Sequence, residues 1–242
     1  TFGGPVQVIA ADSAYVLIRH FGAIPLDVED YESGRYARLV KPEELPPRTR
    51  DLWQALQTRQ YLNIADVNIA YRLAAELYPD PPLLRMAKHL RARDFRAGDY
   101  VILGSGSSNP WHLLFRDQLN FYYEGEPARP VRIRNRNPRP GEPEMLAPTL
   151  PLADESYAIA ALVQNLTETG KVLLIAGFTM EATEACGDFL LKPENRQRLL
   201  KALGVSSESS LAGFEVVLKT NAVSGTGRTA EIIATRAAPA AR

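Results

Sequence analysis

Polar residues that can bind a small molecule follow four apolar, β-prone segments of the chain. Their carboxylates, hydroxyls and amides can exchange hydrogen bonds with a polar ligand. The glycine- and serine-rich segment 104–109 is the most distinctive, because glycines let the backbone approach a ligand, and amides with hydroxyls can surround an anion or a polyol. We expect the ligand-binding residues to be Asp12, Ser13, Asp66, Gly104, Ser105, Ser107, Ser108, Asn109, Trp111, Thr179 and Glu184.

Helix capping is the competing explanation for several of these residues. Asp, Asn, Ser and Thr accept hydrogen bonds from the free N–H groups of a first helical turn. Asp12, Asp66 and Thr179 each adjoin an amphipathic segment, and Asn109 precedes a proline at the preferred first helical position. Trp111 has two interpretations, a ring that stacks on a ligand or a ring in the core. Capping and ligand contact are compatible, so both stay open.

Motifs that would identify an enzyme are incomplete in this chain. Gly104 and Gly106 lack the third glycine of a dinucleotide fingerprint, and there is no nucleophile elbow. The three histidines lack metal-ligand spacing, and only His112 is placed to reach the site. Cys186 falls on an apolar helical stripe, which indicates a core residue. We therefore assign no catalytic residue, no metal and no cofactor.

The elements that must position the candidate site alternate between strand and helix. Strands are predicted at 6–10, 61–65, 99–103 and 172–176, each followed by a helix. In a parallel sheet these junctions share one edge, so the four polar turns should meet there. Further strands are predicted at 120–123, 131–133, 157–163, 214–219 and 230–234, the last two as a hairpin.

The pattern predicts a three-layer α/β fold with helices on both faces of a mainly parallel, Rossmann-like or periplasmic-binding-like mixed sheet. We expect one ligand-binding-type domain over residues 1–235, followed by a disordered tail over 236–242.

Charge and hydropathy exclude two classes of partner. Lysine plus arginine and aspartate plus glutamate both total 28, so the chain has no overall field that would attract nucleic acid. The basic segment 132–139 alternates with apolar residues, which indicates the solvent face of an edge strand. The sequence has no apolar run long enough to span a membrane and begins without methionine, so we expect a soluble portion of a longer or processed protein.

Three segments carry a resemblance to a known group: 59–70, 102–111 and 174–187. With the segments near Asp12, Asp30, Asn135 and Glu215, they resemble uncharacterised bacterial α/β domains of the Acidobacteria type over nearly the whole chain. The resemblance implies an N-terminal membrane anchor or regulatory domain outside this chain, and an extracytoplasmic rather than cytoplasmic location. Phe178 stands where that group tends to have Gly-Thr in direct succession, which bears on pocket size.

The leading hypothesis is a small-molecule-binding or sensory domain of a larger bacterial regulatory protein. One alternative is an enzyme for a nucleotide-like or glycoside-like substrate with Asp66 or Glu184 as general base. Another alternative is a protein-interaction domain. Because Asp12, Asp66 and Glu184 would repel an anion, we expect a neutral polyhydroxylated or zwitterionic ligand, in preference to a divalent cation that bridges two carboxylates.

Overall fold

The computed structural model describes residues 2–22, 27–125, 131–148, 155–221 and 229–239, and it has an α/β architecture. The ten strands are β1 (Val6–Ala10), β2 (Leu83–Met86), β3 (Asp99–Leu103), β4 (Phe121–Glu124), β5 (Arg132–Asn135), β6 (Met145–Leu146), β7 (Ser156–Gln164), β8 (Lys171–Gly177), β9 (Leu211–Asn221) and β10 (Thr229–Pro239). The six α-helices are α1 (Ser13–Gly22), α2 (Val28–Glu32), α3 (Pro47–Thr58), α4 (Ile64–Glu76), α5 (Met180–Leu191) and α6 (Pro193–Leu203).

The main sheet has seven strands in the order β10-β9-β7-β8-β3-β1-β2. Strands β8, β3, β1 and β2 are parallel neighbours, whereas β7, β9 and β10 extend the sheet by antiparallel pairing. The mixed sheet and the antiparallel β9–β10 pair confirm two predictions. Five of the seven strands, β1, β2, β3, β8 and β9, run in the same direction. Strands β7 and β10 run the opposite way, so three neighbouring pairs are parallel and three are antiparallel.

One of the four predicted parallel strands is wrong. Residues 61–63 are irregular, and Ala65 lies inside α4, whose first turn is capped by the side chain of Asn63. A short apolar run such as 61–65 fits a strand and a buried helix equally well. The Asn63 side chain favours the helix, because it accepts a hydrogen bond from the first helical turn. The fourth parallel position is occupied by β2, an edge strand whose Leu83 and Leu84 are exposed.

Helices cover both faces of the main sheet, as predicted. On one face, α4, α5 and α6 pack through Ile69, Phe189 and Leu199 against alternate residues of the strands. On the other face, Tyr15 of α1 and Tyr31 of α2 join a core around Trp111 and Phe115. Alternation of side chains along each strand supplies both cores from the same strands. Within the described part of the chain, no helix is long and apolar enough to cross a membrane.

A second sheet of three strands, β4-β5-β6, packs on the side of β7 and β9 away from α5. Phe121 and Ile133 contact Ile159 and Val217 there. The predicted alternation of basic and apolar residues in β5 is present, with Arg132 exposed and Ile133 buried. The prediction of an edge strand is wrong, because β5 is the central strand of this sheet.

The chain segment predicted as a frayed tail is ordered as far as Pro239. Residues 236–239 continue β10 and pair with β9. Arg236 forms a two-pronged ion pair with Glu142, at 2.8 Å from Nη1 to Oε1 and 2.6 Å from Nη2 to Oε2. The small side chains around Arg236 suggested disorder, but this pairing fixes the segment. Residues 240–242 lie outside the described residues.

Candidate functional site

Three strand-to-helix turns meet at one edge of the main sheet, as the sequence predicts. They follow β1, β3 and β8, which are adjacent and parallel. The backbone N–H of Asp12 donates to the carbonyl of Ser108 at 2.9 Å, and that of Gly104 donates to Ile175 at 2.9 Å. These hydrogen bonds hold the turns against one another, so they form one wall.

Close approach of these turns depends on two glycines. Gly104 has φ +93°, and a Cβ there would lie 3.2 Å from the Cβ of Ala11 and would collide with the Ser108 hydroxyl. A Cβ on Gly177 would lie 2.5 Å from the amide nitrogen of Thr183, in the first turn of α5. A larger residue at 104 would push its turn away from the turn after β1, and one at 177 would push the first turn of α5 away from the end of β8.

The converging turns line a cavity of about 610 Å³, which we call the rim cavity. The residues that line it include seven of the eleven predicted ligand-binding residues: Ser13, Asp66, Gly104, Ser105, Ser107, Ser108 and Thr179. Its outer wall is more apolar than expected, because Val16, Leu17, Phe178 and Met180 also line it. The site therefore combines an apolar wall with a polar floor.

Asp66 is the buried acid of the rim cavity. Its Oδ2 accepts the amide N–H of Ala11 at 2.7 Å, which brings the start of α4 to the end of β1. Burial raises the pKa of Asp66 to about 6, while the Ala11 hydrogen bond acts in the opposite direction. The carboxyl group can thus exchange a proton near neutral pH.

Two predicted ligand residues have internal structural roles. Asp12 is buried, and it accepts the amides of Ala14 and Tyr15 and, at 2.8 Å, the hydroxyl of Tyr31. Asn109 is fully buried, and its Nδ2 donates to the carbonyls of Ile9 at 3.2 Å and Leu103 at 3.0 Å. The prediction that the Asn109 side chain caps the following helix is wrong, because it ties the ends of β1 and β3 together instead.

Two further predicted residues also lie away from the rim cavity. Trp111 is fully buried, and its Nε1 donates to the Ala87 carbonyl at 2.8 Å, which supports its interpretation as a core residue. Glu184 is buried between α5 and α4, where it accepts from Asn68 at 2.8 Å. The helical register explains this placement: Thr183 faces the cavity, so the next residue points toward α4.

Thr179 and Cys186 behave as the sequence predicts for structural residues. The Thr179 hydroxyl accepts the Ala182 amide at 3.2 Å and caps α5. Thr179 also lines the rim cavity, so capping leaves it within reach of a ligand. Cys186 is fully buried in the core, and burial raises the pKa of its thiol to about 12, which makes it unreactive.

Residues 105–108, the serine loop, separate the rim cavity from a second one. The Ser105 carbonyl accepts the amides of Ser108 at 2.8 Å and Asn109 at 2.7 Å, which folds the loop tightly. The Ser105 and Ser107 hydroxyls lie 2.7 Å apart and line both cavities. Either hydroxyl can donate to a ligand while it accepts from the other.

The second cavity, about 580 Å³, lies between the serine loop, the 3₁₀ helix Pro110–Gln118 and the second sheet. We call it the arginine cavity, because Arg19, Arg116 and Arg132 line it. His112 lines it as well; burial lowers the pKa of this histidine to about 4, so the ring is neutral at neutral pH.

The predicted site contains none of the three arginines of the second cavity, and the basic segment with Arg132 was interpreted as the solvent face of an edge strand instead of a phosphate contact. The three arginines come from three separate elements, and an equal total of acidic and basic residues concealed a local excess of positive charge. His112 was the available signal, because it is near the serine loop in sequence. Within the described ranges, no group of three or more His, Cys, Asp or Glu side chains is arranged to hold a metal ion.

Comparisons of the chain with protein-family models, curated proteins and solved structures find no match.

Proposed function

We propose that this chain is a small-molecule-binding domain whose site is the cleft on either side of the serine loop. The observation that carries the proposal is the convergence of three strand-to-helix turns on a cavity of about 610 Å³ with an apolar wall and a polar floor. Volumes of this order suit a small ligand, and such pockets commonly occur beyond the carboxyl ends of parallel strands.

The rim cavity offers different groups to the apolar and the polar parts of a ligand. Phe178 and Met180 provide apolar surface for the uncharged body of a ligand. Ser13 and Thr179 supply hydroxyls, and Asp66 accepts a hydrogen bond when ionised or donates one when protonated. A small polar molecule with an apolar portion satisfies these groups better than either a bare ion or a hydrocarbon does.

A thermal-shift screen of nucleotides, sugars and small acids, followed by native mass spectrometry of the hits, tests the proposal. We expect at least one compound to raise the Tm of the wild-type chain with 1:1 stoichiometry. Ser107→Leu narrows the cleft and should abolish the shift, whereas Tyr71→Leu, at an exposed site on α4, should retain it. Equal shifts in both variants would contradict the proposed site.

Asp66 supports a second candidate function, an enzyme in which this residue is the general base. Its burial in the cavity and its pKa of about 6 suit proton transfer near neutral pH. Glu184 is not proposed as the base, because it contacts Asn68 at the α4–α5 interface. For an enzyme, Asp66→Asn should eliminate turnover of a compound that still binds. A ligand that binds the wild type without turnover favours the binding domain.

The wider biological role is proposed on the resemblance to Acidobacteria-type α/β domains. We propose that ligand binding here is sensory, within a larger extracytoplasmic regulatory protein, and that the sheet edge works as it does in Rossmann-like or periplasmic-binding-like folds. Localisation of a tagged full-length protein by cell fractionation tests the location: recovery in the cytoplasm alone would contradict it.

A further inference from the structure

The arginine cavity carries an excess of positive charge. Among the described residues that line it, Arg19, Arg116 and Arg132 carry guanidinium groups, and Glu124 alone carries a carboxylate. Glu124 forms its ion pair at 3.3 Å with Arg134, whose side chain is outside the lining. Among the described residues, none of the three lining arginines has an acidic partner. Guanidinium groups keep their charge at every physiological pH, so the cavity attracts anions.

Two enclosed polar atoms of this cavity lack a hydrogen-bond partner. They are Nε of Arg19 and Nε2 of His112, and both are shielded from solvent. Buried polar atoms are nearly always hydrogen-bonded in proteins, because an unsatisfied one loses its interaction with water without replacement. Because both residues line the cavity, a small movement of either side chain would let a ligand oxygen accept from its unpartnered nitrogen.

The donors favour a phosphate group over a carboxylate. Guanidinium groups form paired hydrogen bonds with either, but three arginines and the hydroxyls of Ser105 and Ser107 offer more donors than two carboxylate oxygens can accept well. A phosphate monoester has three terminal oxygens and a charge between about −1.5 and −2 at neutral pH. Its charge and number of acceptors match this lining.

The position of the cavity indicates the size of the ligand. At about 580 Å³ it exceeds the needs of an inorganic ion, and it shares Arg19, Ser105 and Ser107 with the rim cavity. A phosphate held on the arginine side leaves the remainder of an organic molecule at the serine loop, next to Phe178 and Asp66.

We infer that the arginine cavity binds the phosphate group of a phosphorylated small molecule whose uncharged part occupies the rim cavity. This inference rests on the proposed function and specifies its ligand class. It replaces the sequence-based expectation of a neutral ligand, because Asp12 and Glu184, two of the three acids that would repel an anion, are buried in internal contacts away from the cleft.

Calorimetric titration with inorganic phosphate and with glycerol 3-phosphate tests the inference. We expect the wild-type chain to bind both, the ester more tightly because it reaches the rim cavity. Arg132→Gln should weaken both by about tenfold or more, through the loss of a charge-assisted hydrogen bond. Arg48→Gln is the control: it removes the same charge at an exposed position of α3, outside both cavities, and should leave the affinity within about twofold of wild type.

Equal weakening in the two variants would overturn the inference, since it would show only a general effect of charge. The inference would also be overturned if neither inorganic phosphate nor glycerol 3-phosphate bound to the wild-type chain. If neutral compounds still raise the Tm in that case, the proposed function stands without a phosphate site; if no compound does, both fail. Binding to vesicles that contain phosphatidic acid, without binding of glycerol 3-phosphate, would replace the small molecule by a lipid and overturn the inference.

Discussion

At the scale of single residues, the acids and amides of the cleft differ sharply in what surrounds them. The carboxylate of Asp12 accepts hydrogen bonds from α1 and from the Tyr31 hydroxyl, whereas Asp66 lines the rim cavity. Asn109 occupies the centre of the turn cluster without lining either cavity. Each side chain can therefore be tested for the role that its contacts imply.

Asp66→Asn should change how stability depends on pH. The folded-state pKa of Asp66 is about 6 against an ordinary 3.8, so its protonation stabilises the fold below about pH 4, and this contribution is lost as pH rises to about 6. We expect the stability of the variant relative to wild type to rise by about 1–3 kcal/mol between pH 4 and pH 7. Urea denaturation at each pH measures the difference.

His112 titrates in an overlapping range with the opposite sign. Its folded-state pKa is lowered to about 4, so its contribution is lost as pH falls from about 6.5 toward 4. Both proteins retain His112, and its contribution cancels in the comparison. A difference between variant and wild type that stays constant with pH would refute the assignment for Asp66.

Asn109→Ala should cost more than the loss of a helix cap. Truncation leaves the carbonyls of Ile9 and Leu103 without the amide that joins them, in a fully buried position. We expect a loss of about 2–4 kcal/mol in the free energy of unfolding. Thr179→Ala, which removes a true cap, should cost about 1 kcal/mol. Equal costs in chemical denaturation would show that the bridge contributes nothing beyond capping.

At the scale of elements, the cleft depends on how the second sheet is attached to the first. Arg236 of β10 joins Glu142 and also lies over the ring of Phe121, with its Cζ 4.8 Å from the ring centre. The backbone amides of Asn120 and Phe121 donate to Glu215 of β9. Through these contacts the last strands of the main sheet hold the β-strands that bound the arginine cavity.

Arg236→Met should destabilise the fold at neutral pH, because it removes the ion pair and keeps the aliphatic stem. The arginine lowers the pKa of Glu142 to about 2, so the stability it provides is present above pH 4.5 and is lost as pH falls toward 2. Allowing for solvent screening, we expect a loss of about 1–2 kcal/mol at pH 7 that shrinks in acid. Thermal unfolding across this pH range measures it.

Lys219→Met is the comparison for the Arg236 variant. Lys219 pairs with Glu155 at 2.7 Å on the surface, and solvent weakens such a pair. We expect little change in stability. A cost as large as that of Arg236→Met would show that the position of Arg236 between the two sheets has no special importance.

The elements that periodicity and capping specify were predictable from sequence. The strands β1, β3 and β8 end in buried apolar runs, and the turns after them do converge. The predicted strand at 61–65 was wrong because a short run with four apolar residues fits a strand and a helix equally well. The hydrogen bond from Ala11 to Asp66 that positions α4 cannot be seen in the sequence.

The arginine cavity could not be predicted for a different reason. Arg19, Arg116 and Arg132 come from α1, a 3₁₀ helix and β5, which only the folded chain brings together. Sequence spacing carries no signal for such a set. The position of Glu184 outside the cleft could not be predicted either. A shift of one residue along α5 determines whether a side chain faces the cleft, as Thr183 does, or α4, as Glu184 does.

At the scale of the whole molecule, the cavities lie where helices from both faces meet the carboxyl edge of the main sheet. The rim cavity is lined by α1, the serine loop and the first turns of α4 and α5, and the arginine cavity by α1, the serine loop and the second sheet. A ligand there contacts three chain segments far apart in sequence. Its binding should stabilise the fold as a unit, since it joins those segments.

Amide NMR spectra of the isotope-labelled chain, recorded with and without a compound from the thermal-shift screen, test the central claim most directly. We predict saturable shifts concentrated at Ser13, Thr179 and the serine loop, the groups around the rim cavity. The amides of the exposed β2 edge should stay unchanged. Shifts that cluster on β2 or on the outer face of α4, with the serine loop unaffected, would contradict a small-molecule site at the converging turns.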